Sequence, residues 1–131
     1  MKGDFSRRTH DPRKHYSAVL LQQGRVLTDA DLEEEHRILS GAQERTAADL
    51  IGGCGGPIAA AGFAVSSPDG TGLELSAGRY YAGGMLVVSE SAVAYPDQPD
   101  RFADDVAWPP PAGRYAIVLD VWRRLITALD D

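Results

Sequence analysis

The chain has 131 residues, of which 44% are hydrophobic and 24% are charged, a composition that fits one globular domain. Its net charge of −6 argues against bulk binding to nucleic acid, because phosphate contacts need clustered Lys and Arg side chains. No apolar run approaches the roughly 20 residues that span a bilayer. The polar start MKGDFSRR has no signal-peptide core, so we expect a cytoplasmic protein without membrane insertion.

Residues 1–15 show neither a helical nor a strand period, and we interpret them as an extended basic arm. The first 16 residues hold five Lys and Arg residues and two Asp residues, a balance of +3 that leaves −9 for the remainder. A basic arm on an acidic chain is expected to bind an acidic surface, such as that of a neighbouring copy. Phe5 is the natural aromatic anchor. The predicted partner-docking residues are Phe5, Arg7, Arg8, Arg13, Lys14, His15 and Tyr16.

Two short apolar runs follow, at residues 16–22 and 25–28, on either side of Gln23-Gly24. Glycine tolerates positive φ, so we expect Gly24 to form a tight reversal. This pattern predicts a short β-hairpin or bend.

The segment Thr28-Asp29-Ala30-Asp31 predicts a helix start, because Thr28 and Asp31 have the spacing of a capping box and the acids oppose the helix dipole. The helix should run to about Leu50 and stop at Gly52-Gly53. Its apolar stripe is expected to pack back on the hairpin, which makes residues 16–52 one docking module. The stripe consists of Leu32, Leu39, Ala42, Thr46 and Leu50, and it is widened by Ile38 and Ala47.

After the break GGCGGP at residues 52–57, the apolar period changes from about 3.6 to about 2. Strands are predicted at 62–66, 73–76, 79–82, 85–89, 92–95 and 115–122, with residues 125–129 continuing the last pattern. A polar, proline-rich connection covers 96–113. The predicted fold class is α+β: an extended arm, a short hairpin, one long helix, and an antiparallel β-rich module at 53–131.

The sequence shows no catalytic constellation, and we predict neither an enzyme nor a cofactor. The acids between Asp29 and Glu35 lack the spacing of an EF-hand loop, and His36 has no second histidine four residues away, so no metal site is expected. The glycines at 52–56 follow a helix rather than a strand and therefore favour a linker over a phosphate loop. Cys54 is the single cysteine, which excludes an internal disulfide, and we expect it to be buried.

Several stretches resemble an uncharacterised bacterial domain family. They are MKGDFSR at 1–7, KHYSAVLLQQGRVLTDAD at 14–31 with Glu34 beyond it, AGRYYAGGMLV at 77–87 and YAIVLDVWRRLITALDD at 115–131. Members of that family commonly have Asn-Glu where this chain has Glu33-Glu34. This departure leaves the helix start intact but removes any contact that needs the asparagine. The family's members often continue further, so we expect a longer natural product.

The resemblance implies a function in assembly. Such proteins are similar in pattern to baseplate and fibre-attachment proteins of phage tails, and the family is associated with contractile injection systems. We therefore expect a structural subunit of a phage-tail-like particle, present in multiple copies of a symmetric assembly beside other baseplate or fibre proteins. A free-standing ligand-binding domain and a cell-wall or glycan hydrolase are the alternatives.

Overall fold

A computed structural model describes residues 9–67, 70, 72–99 and 113–128, and it confirms the predicted α+β class. One long helix is followed by short antiparallel strands, and two 3-10 turns cover Pro12–Lys14 and Tyr95–Asp97. The helix α1 spans Asp29–Ile51. The strands are β1 (Cys54–Gly55), β2 (Val65–Ser66), β3 (Glu74–Leu75), β4 (Gly78–Ala82), β5 (Met85–Ser89) and β6 (Val93–Ala94).

The limits of α1 follow from its cap chemistry. Thr28 is the N-cap: its side chain accepts a hydrogen bond from the Asp31 N–H, and the Asp31 carboxylate accepts one from the Thr28 N–H. This reciprocal pair satisfies two donors that the first helical turn leaves unpaired. The helix ends one residue beyond the predicted Leu50, where the Gly52 N–H donates to the carbonyl of Ala48 at 2.8 Å.

The strands form two small antiparallel sheets, one in the order β1-β4-β5 and the other in the order β2-β3-β6. The β4–β5 hairpin closes through Gly83-Gly84, both with positive φ, between the paired residues Ala82 and Met85. Two positive φ angles define the tight turn that matches the twist of antiparallel strands. The double glycine therefore sets the register of the longest strand pair.

The glycine-rich segment after α1 differs from the predicted linker. Cys54 pairs with Ala82 in an edge strand, and the Gly53 carbonyl accepts a hydrogen bond from the Gly83 N–H at 2.8 Å. Sequence reasoning missed β1 because a two-residue strand has no period of its own; its structure comes from the neighbouring ladder. Cys54 is exposed, so the expectation that it is buried is wrong.

The chain reverses at Gly24, as expected, without forming a ladder on either side. Gly24 has a φ of +75°, and the Arg25 N–H donates to the Gln22 carbonyl at 3.2 Å. Neither residues 16–22 nor residues 25–28 form a strand. One reason is visible at Val19, whose N–H donates to a carboxylate oxygen of Glu35 rather than to an opposing strand. The predicted hairpin is thus a turn between two segments that do not pair with each other.

The predicted strand at 115–122 does not form: these residues lie in no sheet of the described part of the chain. A strand requires a neighbour that exchanges backbone hydrogen bonds, and none stands beside residues 116–122 among the described residues. Just beyond this segment, the Arg123 guanidinium pairs with Glu44 of the helix at 2.5 Å. The predicted continuation is not a strand up to Thr127 either. Leu129 lies outside the described residues, as do Pro68, Asp69 and residues 100–112.

Candidate protein-docking surfaces

The acids at the start of α1 have protein partners. The Asp31 carboxylate belongs to the capping box with Thr28. Glu33 forms an ion pair with Arg37, one helical turn later, at 3.0 Å. Within the described residues no group of three His, Cys, Asp or Glu side chains is arranged to hold a metal ion. The geometry therefore assigns these carboxylates to helix capping and to ion pairing on the helix surface.

Two further acids of α1 hold the preceding segment against the helix. The Glu34 carboxylate accepts a hydrogen bond from the Thr9 hydroxyl. The Glu35 carboxylate accepts one from the Val19 N–H at 2.6 Å, in a part-buried position. Hydrogen bonds to an ionised acceptor are the stronger kind, so these contacts fix where residues 9–28 run. Sequence patterns do not reveal these contacts, because the partners are 25 and 16 positions away.

The predicted docking residues are only partly described, and those that are visible differ in how available they are. The Arg13 guanidinium forms a two-bond ion pair with Asp11, which holds the pKa of that carboxyl below its usual value. The Lys14 ammonium lies 5.7 Å from the centre of the Tyr16 ring, within cation–π range, and that ring is more than half exposed. His15 has a positive φ at the end of the first 3-10 turn. Phe5, Arg7 and Arg8 lie outside the described residues.

The segments on either side of Gly24 present apolar side chains to solvent. Leu20 and Val26 are each 89% exposed, and Leu21 and Leu27 are also exposed. Isolated surface leucines are common and need no explanation, but a group in one short segment marks an interaction surface. This segment is therefore the first candidate docking surface.

The apolar stripe of α1 faces solvent as well, which overturns the expectation that it packs back on the hairpin. Leu32 and Leu39 are 54% and 57% exposed, and Leu50 is 81% exposed. Ala42 and Thr46 are exposed too. The stripe is therefore the second candidate docking surface.

The opposite side of α1 is less exposed to solvent. It is formed by Glu34, Ile38, Gly41 and Ala48, none of them exposed. Ile38 is the one large apolar side chain that is buried among the described residues, with 4% exposure. The β4–β5 turn approaches the same helix at the backbone of Glu44, where Gly84 leaves no room for a Cβ. Periodicity alone does not predict that the side of α1 with fewer leucines is the less exposed one.

Cys54 and Tyr80 come together across the first sheet. A side-chain hydrogen bond with Cys54 raises the pKa of Tyr80. Cys54 on β1 pairs with Ala82, which is two residues beyond Tyr80 on β4. The pair lies on an exposed edge without a histidine or carboxylate described beside it as a base. The geometry assigns it a part in holding β1 on β4.

None of the helices in the described residues is long and apolar enough to cross a membrane. Searches of curated proteins and of solved structures find no match for this chain. One family model matches over residues 1–131, and its description is a family of unknown function. The predicted membership of an uncharacterised domain family is thus confirmed, and the chain belongs to the family of unknown function DUF6519.

Proposed function

We propose that this protein is a structural subunit of a phage-tail-like contractile injection particle, at the baseplate periphery or a fibre-attachment point. Its function there is to bind neighbouring subunits. Its opening residues and its GRYYAGG hairpin resemble such proteins, and this resemblance supports the assignment to a phage-tail-like particle.

The observation that carries a docking function is the exposure of its large apolar side chains. In the described residues Ile38 is buried, whereas leucines of both candidate docking surfaces are more than half exposed. Exposing contiguous apolar area costs free energy in water, at about 25 cal/mol per Å², and a binding partner recovers that cost. Apolar side chains held on a long helix and beside a fixed turn thus favour binding over catalysis.

The charge distribution supports an assembly with directed contacts. The first 16 residues carry +3 and the remainder −9, and the acids cluster at the start of α1. Opposite charges on separate surfaces steer association and make it sensitive to salt. The basic arm of one copy can meet an acidic surface of its neighbour, which is a head-to-tail contact.

The test is to delete the arm as far as Arg8, so that the contact between Thr9 and the helix is kept. Deleting residues 2–8 removes Lys2, Phe5, Arg7 and Arg8 but keeps Thr9, which donates to Glu34. We expect the melting temperature to change little and the protein to disappear from purified particles. The triple variant Phe5→Ala with Arg7→Glu and Arg8→Glu should reproduce most of that loss.

The matched control reverses two arginines on the body of the protein, with Arg45→Glu and Arg79→Glu. Both are exposed, and neither belongs to the arm. This variant should enter particles normally. If the arm deletion also enters at wild-type occupancy, the docking function of the arm is wrong and a free-standing binding domain becomes the better account.

A further inference from the structure

The exposed side of α1 has the spacing of a helix-pairing surface. Starting from Leu32, apolar or uncharged side chains recur at alternating steps of four and three residues, the repeat by which one helix packs along another. We call this set the helix seam, and it consists of Leu32, His36, Leu39, Gln43, Thr46 and Leu50. Every one of these residues is exposed.

The helix seam lies along one exposed side of α1. An α-helix turns by about 100° per residue, so Leu32 and Leu50 lie at the same angle and the other members lie within about 40° of them. Ile38, the buried residue of α1, lies about 120° from that line. The preceding segment reaches one flank of the seam, about 60° from the line, where the Glu35 carboxylate accepts a hydrogen bond from the Val19 N–H. The six side chains of the seam are themselves exposed and therefore available to a partner.

The charges beside the helix seam are all of one sign. The residues within about 100° of the line through Leu32 and Leu50 include five acids and no Lys or Arg. The nearest arginines, Arg37 and Arg45, lie about 140° away on the two sides. The five acids are Asp29, Asp31, Glu33, Glu35 and Asp49.

The acidic residues on both sides of the helix seam determine which kind of helix can bind there. A second copy of α1 would place acids against acids, which is unfavourable at the edges of a helix pair. A helix with Lys and Arg beside its apolar side chains would meet opposite charge on both flanks. A shallow recess of about 240 Å³ beside the seam, lined by Leu32, Glu33, His36 and Arg37, offers room for one of its side chains.

We propose that the helix seam binds a basic amphipathic helix of a different protein, and this inference rests on the proposed function in assembly. The partner helix presents apolar side chains at three- and four-residue steps and Lys or Arg beside them. Its apolar side chains pack on Leu32, Leu39 and Leu50, and its cations face the flanking carboxylates. The contact is distinct from that of the basic arm, because its partner is a helix of a different protein rather than residues 1–15 of a neighbouring copy.

The test uses the isolated chain and three synthetic peptides of three heptads each. The first has Leu at the two seam positions of every heptad and Lys on both flanks, so that its own flanking charges oppose self-pairing. The second has Glu in place of every Lys, and the third is a scrambled sequence of the first. Fluorescence anisotropy should show that the first peptide binds at least tenfold tighter than either of the others, and more weakly as salt rises.

Variants of the chain locate the contact. Leu39→Ser and, separately, Leu50→Ser should each weaken binding of the basic peptide at least tenfold, and Asp49→Lys should weaken it several-fold. Leu20→Ser is the matched control, because Leu20 is at least as exposed but lies on the segment before the helix. It should bind like wild type. Circular dichroism of each variant verifies that α1 is intact, and the two leucine variants serve as independent checks if one of them unfolds.

Other outcomes overturn the proposal. Equal affinity for the acidic or scrambled peptide, or equal affinity in the leucine variants, would mean that the seam is not the site. Wild-type dimers in sedimentation that Leu39→Ser abolishes would make a second copy the occupant. Because these measurements need no particle, their failure leaves the particle test of the basic arm unaffected.

Discussion

Replacing Gly84 with alanine is expected to lower the free energy of unfolding by about 3 kcal/mol. A Cβ at this position would overlap the backbone oxygen of Glu44, an atom of a rigid helix that cannot move aside as the end of a long side chain could. Overpacking of that kind costs about 1–3 kcal/mol. Gly84 also has a φ of +83°, and an alanine in that conformation loses about 1 kcal/mol more of stability through backbone strain. The measurement is urea unfolding of the variant and wild type.

The neighbouring residue provides the control. Gly83 belongs to the same turn and also has a positive φ, but nothing lies within 4 Å of a Cβ placed on it. Gly83→Ala should therefore cost only the backbone strain, about 1 kcal/mol. Equal destabilisation by both variants would contradict the close packing of the β4–β5 turn on α1.

Gly78→Ala is expected to have an effect of similar size, again about 3 kcal/mol, at the place where residues 60–62 pair with β4. A Cβ on Gly78 would lie 2.8 Å from the Ala60 carbonyl oxygen and 2.8 Å from the Cα of Gly62. The residue has a φ of +133°, which is strained for any L side chain, so overlap and strain add. Chemical unfolding monitored by circular dichroism measures the loss.

Gly53→Ala is the matched substitution for Gly78→Ala. Gly53 is also next to the first sheet, has no positive φ, and has open space around the position of a Cβ. We expect a change within about 0.5 kcal/mol, as for an ordinary surface site. If Gly78→Ala lowered the free energy of unfolding as little as Gly53→Ala, the close approach of Gly78 to Gly62 would not exist in solution.

Local chemistry made much of this fold predictable. The start of α1 follows from Thr28 and Asp31, because a capping box is complete within four residues. The β4–β5 hairpin follows from two glycines between alternating apolar runs, since that turn needs positive φ at both positions. In each case the interacting residues lie close together in the sequence, so the local pattern is enough to predict the structure.

Local patterns do not predict which apolar surfaces the chain itself covers. Periodicity identifies an apolar side of α1, but it does not say whether the chain itself or another protein covers it. The helix contacts its own chain through Glu34 and Glu35 and buries Ile38. It leaves Leu32 and Leu39 exposed. Likewise, the strand pattern at 115–122 describes residues suited to a sheet, whereas strand formation also needs a neighbouring strand.

The central claim is that the apolar side chains exposed in the isolated chain are buried by neighbours in an assembly. Hydroxyl-radical footprinting of the isolated protein and of purified native particles tests it most directly, residue by residue. We expect Leu32, Leu39 and Leu50, together with Leu20 and Val26, to be modified several-fold more slowly in particles, and Ile38 to be modified slowly in both states. Equal modification rates of those five residues in the particle and in the isolated chain would contradict it.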